Sequence, residues 1–318
     1  VVYPDILITS DEFKAHEKIS DINPQQKDYN WVNAKLISWK SPKGRSLQGI
    51  LYTPENFDST QKYPLLVYYY EKYSENLHNY YAPRPSASVI NPTEYASNGY
   101  VILFPDILYQ DGEPGEGAYD CIISGTNYVK GMGFIDEKRM GLQGQSWGGY
   151  QTAWLITQTN MYRAAMAGAP VSNMTSAYGG IRWESGLSRM FQYEKSQSRL
   201  GATLWQDREK YIKYSPVFHA DKVQTPLLIM HNDDDGAVPW YQGIEYFVAL
   251  RRLDKPCWML NYNGDAHNLR KRPNQMDLSI RMRQFFDHYL LDKPMPAWMK
   301  EGLPALQKGK ENGYELKE

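Results

Sequence analysis

Short apolar runs set apart by segments of helical spacing lay out this chain. The runs YPLLVYYY (63–70), GYVILFPD (99–106), KRMGLQGQ (138–145), AAMAGAP (164–170), TPLLIMHN (225–232) and CWMLNYN (257–263) are mostly apolar. That is the pattern of strands covered on both faces of a sheet. Between them, YDCIISGTNYVKGMG, WGGYQTAWLITQT, WYQGIEYFVALRRL and MDLSIRMRQFFDHYLL repeat apolar residues every three or four positions, as amphipathic helices do. Strands alternating with helices predict an α/β fold, a mostly parallel central sheet with helices on both faces. Ahead of it, residues 31–54 alternate apolar and polar positions on either side of the turn SPKGR. This predicts an N-terminal antiparallel hairpin.

The length of 318 residues and the 42% hydrophobic content suffice for one large core. Residues 1–30 read as short extended pieces and a linker, 31–297 as the main domain, and the Lys/Glu-rich 298–318 as a surface or frayed tail. With 35 basic and 36 acidic residues and a net charge of −1, no electrostatic footprint for nucleic acid or an anionic membrane is present. Cys121 and Cys257, the two cysteines, support neither a disulfide framework nor a Cys-based zinc site. No run approaches the roughly 18 apolar residues of a membrane span. The start, VVYPDILITS, lacks the layout of a signal peptide. It reads as the cut edge of a longer polypeptide, with any export signal upstream; a periplasmic or secreted location is the expectation.

The strongest local signal is Gly144-Gln145-Ser146-Trp147-Gly148-Gly149-Tyr150, a G-x-S-x-G between an expected strand and an expected helix. In that context Ser146 reads as a nucleophile lifted above the sheet edge, and the Trp147 N–H, opening the helix, as an oxyanion donor. A serine hydroxyl needs a base and an orienting acid, in the chain order Ser, acid, His. Asp233, Asp234 and Asp235 follow one strand and His267 follows the next, each in a loop. Of the six histidines, His267 alone combines loop placement, a preceding strand and this order. The aspartates also read as a solvated turn, and no second ligand cluster supports a metal there.

Together these residues resemble the catalytic domain of the prolyl oligopeptidase and dipeptidyl-peptidase family of serine peptidases, which has the α/β-hydrolase fold. The resemblance covers about residues 35–290 and rests on GQSWGGY, on TPLLIMH leading to DGAVP, and on NGDAH. The family's spacing, with a His four residues before the acid and a Val three after it, points to Asp235 through His231 and Val238. It also implies an oxyanion-hole Tyr at Tyr70, after KYPLLVYYY. At the spacing of the family's proline pocket stand Met174, Ala177 and Ile181, with Tyr178 and Trp183 nearby; Met174, Tyr178, Trp183 and Val238 are the candidate pocket residues. Ala237 stands where proline-specific members carry a polar residue that holds the substrate carbonyl. The resemblance therefore carries peptidase chemistry further than proline preference. It implies residues 1–30 as the junction to an N-terminal β-propeller, a peptide substrate, no cofactor and a homodimer. The function expected is hydrolysis of peptide bonds through an acyl-enzyme. A carboxylesterase or acyl-aminoacyl hydrolase on the same fold is the enzymatic alternative, and a catalytically silent binding domain the alternative from another class.

Overall fold

In the computed structural model, residues 4–10 and 12–317 are described. Residues 1–3 and 11 of the expected N-terminal junction, and residue 318 of the tail, lie outside that range. Eight strands form the central sheet: β1 (Val32–Lys40), β2 (Ser46–Pro54), β3 (Tyr63–Tyr68), β4 (Val101–Pro105), β5 (Ile135–Gln145), β6 (Ala164–Gly168), β7 (Leu227–Met230) and β8 (Cys257–Leu260). Their spatial order is β8-β7-β6-β5-β3-β4-β2-β1. β1, β2 and β4 pair antiparallel and all other neighbours parallel. The expected hairpin is thus one edge of a continuous sheet, joined to the rest through β4.

The side-chain alternation of a strand explains the two cores. Leu65, Val67, Leu142, Leu227 and Ile229 face one side, under α2 (Pro114–Lys130), α3 (Trp147–Leu155) and α7 (Tyr241–Arg252). Leu66, Tyr68, Met166, Leu228 and Met230 face the other, under α1 (Pro92–Ser97) and α8 (Arg272–Leu291). Local chemistry sets the helix ends. The Asn91 side chain accepts from the Glu94 N–H at 3.1 Å to cap α1, α2 opens on Pro114, and α8 stops at Asp292, which takes the left-handed conformation (φ 53°). Among the described residues no helix is long and apolar enough to cross a membrane.

Two regions differ from the pattern-based expectation. Residues 171–224, which carry no apolar period, build a cap of three short helices, α4 (Met174–Tyr178), α5 (Met190–Glu194) and α6 (Arg208–Lys213), with a hairpin of Ile181–Arg182 and Leu187–Ser188. Helices of five or six residues are too short to show a 3.6-residue period or to stand alone, so they exist only as packed. The second region is the segment read as a tail. It contains α9 (Ala297–Lys300), where Trp298 and Met299 are buried in the α8-side core. Trp298 Nε1 donates to Gln284 Oε1 at 2.8 Å, and the Arg281 guanidinium lies 5.3 Å from the Trp298 ring. Met295–Pro296 pairs with Leu316–Lys317, closing the loop. Lys/Glu-rich composition concealed two large apolar anchors. We expect Trp298→Ala to cost about 3–5 kcal/mol, seen as a lower urea midpoint at unchanged slope.

Candidate active site

The site is built on the loops that leave the C-terminal ends of β5, β7 and β8. Ser146 sits between β5 and α3 with φ 62° and ψ −116°, a conformation that costs a non-glycine residue energy and persists only where its surroundings hold it. They do: its N–H donates to the Gly168 carbonyl at 2.8 Å, and its own carbonyl accepts from the Tyr150 N–H at 2.9 Å. A methyl group at Gly144 would overlap the Gly148 carbonyl, and one at Gly149 would overlap the Gly168 carbonyl, so glycine there is a steric requirement. Ser146 itself is half-buried. Trp147 opens α3, and the first N–H groups of a helix have no partner within it.

Asp235 lies in the loop after β7, its side chain buried. Oδ1 accepts from the N–H groups of Ala237 and Val238, both at 2.8 Å. Oδ2 is 2.7 Å from His267 Nδ1 and 3.3 Å from His231 Nε2. Burial by itself raises this carboxyl's pKa, but hydrogen bonds from His231 and His267 outweigh it and hold it well below the usual carboxylate range. Asp234 is exposed, while Asp233 reaches across to the histidine loop, accepting from Asn263 Nδ2 at 2.5 Å and the Gly264 N–H at 2.7 Å. The three consecutive acids therefore have three different placements.

His267 follows β8 with its side chain 19% exposed, enough for approach from one side. Its carbonyl accepts from Gln145 Nε2 at 2.9 Å, so the residue before Ser146 binds the main chain of His267 directly. Asn232 Nδ2 donates to the Ala266 carbonyl at 2.7 Å, and Asp265 Oδ1 accepts from the Arg270 N–H at 2.8 Å. The loop is thus braced from the end of β5, from the segment after β7, and from within.

Tyr70 comes two residues after β3. Gly148 packs on the Tyr69 carbonyl, which brings the Tyr70 main chain against the start of α3. The Tyr70 hydroxyl accepts from Gln197 Nε2 at 2.9 Å, and its carbonyl accepts from the Tyr109 hydroxyl at 2.5 Å. Of the candidate pocket residues, Met174, Tyr178 and Val238 share one buried cluster with Trp147, whereas Trp183 stands outside it, 75% exposed on the cap hairpin. The Tyr178 hydroxyl donates to Glu194 Oε1 at 2.5 Å.

Three contributors to this arrangement carry no mark in the sequence pattern. Gln197 and Arg199 belong to the cap; Arg199 stacks 4.7 Å over Tyr109 and, with Gln197, ties the cap to the Tyr70 loop. Arg189, 3% exposed, donates to the Ala237 carbonyl and to the Tyr193 hydroxyl, pinning the cap under the acid loop. No periodic or motif signal points to any of these. His231, in the sequence only a spacing marker for the acid, touches Asp235. Among the described residues no group of three His, Cys, Asp or Glu side chains is arranged to hold a metal ion.

A profile of the prolyl oligopeptidase family matches residues 91–293, well over half of the chain. The chain belongs to that family. It is 27% identical over 266 residues to the uncharacterized peptidase YuxL of Bacillus subtilis, covering 80% of this chain and 39% of that protein. To dipeptidyl-peptidase 5 of Porphyromonas endodontalis it is 26% identical over 316 residues, 92% of this chain and 40% of that one. The chain therefore spans about two fifths of the length of these curated relatives. In three dimensions it superimposes on the acylaminoacyl peptidase of Pyrococcus horikoshii (TM-score 0.68, 22% identity, 86% of this chain and 44% of that one). It does so equally on dipeptidyl peptidase 4 of Porphyromonas gingivalis (TM-score 0.68, 20% identity, 86% and 38%). The fold is the α/β-hydrolase fold of this family, as the sequence pattern and the resemblance anticipate.

The packing around Ser146 yields a direct test. Gly149→Ala should cost about 1–3 kcal/mol through overpacking against Gly168. Gly179→Ala, where a methyl meets open space, should stay within about 0.5 kcal/mol of the parent in thermal denaturation.

Proposed function

We propose that the chain is the catalytic domain of a serine peptidase, with Ser146 as nucleophile, His267 as general base and Asp235 as the orienting acid. One observation carries this reading. The Asp235–His267 pair at 2.7 Å is fastened, through Gln145 and the His267 carbonyl, to the residue adjoining a serine held in a strained strand-to-helix turn.

The chemistry derives from which ring nitrogen of His267 faces the acid. Asp235 Oδ2 accepts from Nδ1–H of His267, which leaves Nε2 with a lone pair to take the Ser146 proton as Oγ attacks a peptide carbonyl. The Trp147 N–H and the Tyr70 hydroxyl stabilise the oxyanion. Gln197 donates to the Tyr70 oxygen, so the phenolic hydrogen stays available for a substrate oxygen. The protonated imidazole then delivers its proton to the departing amine, and water, deprotonated by His267, releases the acyl group. Both histidine and serine return to their starting states. No step needs a cofactor.

Peptides are the substrate class this reading assigns, in line with a relative named dipeptidyl-peptidase 5. The buried cluster of Met174, Tyr178 and Val238 beside Trp147 is the proposed wall for the residue at the scissile bond. Ala237, whose carbonyl is occupied by Arg189, offers no polar side chain to a substrate carbonyl, and a proline requirement is not part of the proposal. A β-propeller elsewhere in the full-length protein is the partner the resemblance implies.

A fluorophosphonate probe should label the chain, and Ser146→Ala should abolish labelling; a Ser146→Ala chain still labelled would remove the residue from its role. Hydrolysis of aminoacyl-p-nitroanilides over p-nitrophenyl acetate is the outcome expected of a peptidase. The reverse preference indicates an esterase, and absence of both activities and of labelling a silent domain. Tyr70→Phe should lower kcat by about 10²–10³-fold with little change in KM.

A further inference from the structure

Asp235 is met by a second imidazole that the proposed hydrolytic steps do not use. His231 comes directly after the last residue of β7, and its side chain is fully buried. Its main chain is fixed on both sides: the N–H donates to the Leu260 carbonyl at 3.0 Å, and the carbonyl accepts from Asn261 Nδ2 at 3.0 Å. The ring's Nε2 lies 3.1 Å from the Val238 carbonyl oxygen and 3.3 Å from Asp235 Oδ2. A carbonyl oxygen only accepts, so Nε2 carries the hydrogen. Nδ1, buried, has no hydrogen-bond partner and points at α7, where a Cβ on Gly243 would sit 2.6 Å away. A hydrogen on Nδ1 would be buried without an acceptor, an arrangement that proteins avoid. The surroundings therefore select the Nε2–H tautomer, and this N–H lies between the Val238 carbonyl, its hydrogen-bond acceptor, and the acid.

We propose that His231 is a positioning residue for the hydrolytic reaction: its Nε2–H, bonded to the Val238 carbonyl at 3.1 Å, also faces Asp235 Oδ2 at 3.3 Å, and in this shared position it holds the acid loop and the carboxylate that orients His267. The inference rests on the proposed roles of Ser146, His267 and Asp235. Two amides donate to Oδ1 and His267 donates to Oδ2, with the His231 Nε2–H beside Oδ2 at 3.3 Å, so the carboxylate plane is fixed from inside the fold. With His231 gone, Oδ2 keeps His267 alone. The carboxylate then gains freedom to turn, and the base loses the alignment that proton transfer requires. Gly243 belongs to the same device, since the ring fits because α7 carries no side chain at that point.

The test compares His231→Leu, similar in bulk but without a donor, with His231→Gln, whose amide nitrogen can reach the place of Nε2. The readout is fluorophosphonate labelling of the whole chain, resolved into the maximal rate of inactivation and the probe concentration giving half of it. His231→Leu should lower the maximal rate on the order of 10- to 100-fold, the loss of a hydrogen bond to a charged group. The half-saturating concentration should stay within about twofold, and His231→Gln should recover most of the rate. Should the leucine variant fail to fold by near-ultraviolet circular dichroism, His231→Asn, too short to reach Oδ2, replaces it. A leucine variant as fast as the parent, leucine and glutamine variants equally slow, or an effect confined to the half-saturating concentration would each overturn the inference. Ser146→Ala separates the two levels: loss of labelling there with an unimpaired His231→Leu sinks only the role of His231, whereas persistent labelling of Ser146→Ala sinks the catalytic reading as well.

Discussion

A carboxylate taken out of water at the end of a strand must have its lone pairs met by donors, and much of this structure comes from meeting that demand for Asp235. Desolvation works against its charge and is outweighed by His231 and His267 beside Oδ2, while the Ala237 and Val238 amides donate to Oδ1. Each donor needs its own support. The amides require the loop to turn back immediately after the acid, His231 requires a gap in α7 at Gly243, and His267 requires a loop braced by Asn232, Asp265 and Gln145. The charge thereby couples β7, β8 and α7 into one unit, and the order of the site derives from that coupling.

The second constraint is steric and lies in the turn around Ser146. The chain leaves β5 and enters α3 so closely packed against β3 and β6 that carbonyls of Tyr69 and Gly168 occupy the space of missing side chains at Gly148 and Gly149. The strained backbone of Ser146 is held by this packing and by the bond to Gly168, and does not depend on the serine side chain. Gln145, whose main chain belongs to β5, carries the connection outward to the His267 loop. Strain at one residue is thus offset by close contacts distributed over three strands.

The cap is held in the opposite way. α4, α5 and α6 share a separate apolar cluster with Trp147, Tyr150 and Trp154 of α3 and are fastened further by polar links of buried or half-buried side chains: Arg189 to the Ala237 carbonyl, Gln197 to the Tyr70 hydroxyl, Arg199 over Tyr109. Tyr178, Tyr193, Tyr211 and Tyr214 fill its interior, large rings with a polar tip that allow a thin layer to be both apolar and hydrogen-bonded. The same links join the cap to the acid loop and to the Tyr70 loop, so its position and the placement of those two loops are coupled.

The sheet and the turn that carries Ser146 were legible in the chain's own letters. Buried parallel strands have to be apolar on both faces, as LLVY in β3 and LLIM in β7 are, and a tight strand-to-helix turn has to be glycine-rich; both demands are local and leave their mark in a few consecutive letters. The order Ser146, Asp235, His267 was legible for the same reason, each group lying in a loop directly after a strand. The choice of Asp235 over Asp233 and Asp234 came from resemblance, because three adjacent acids look alike until the fold turns one to His267, one to Asn263 and one to water. Features whose cause lies elsewhere in the fold emerge only once the chain is packed. The cap helices are too short to carry a period. Trp298 is an anchor hidden in a charged segment, and Arg189, Gln197 and His231 act through partners 48, 127 and 4 positions away. Even the short separation of His231 from Asp235 was unreadable as a contact, because the direction of its ring is set by α7, through the absence of a side chain at Gly243.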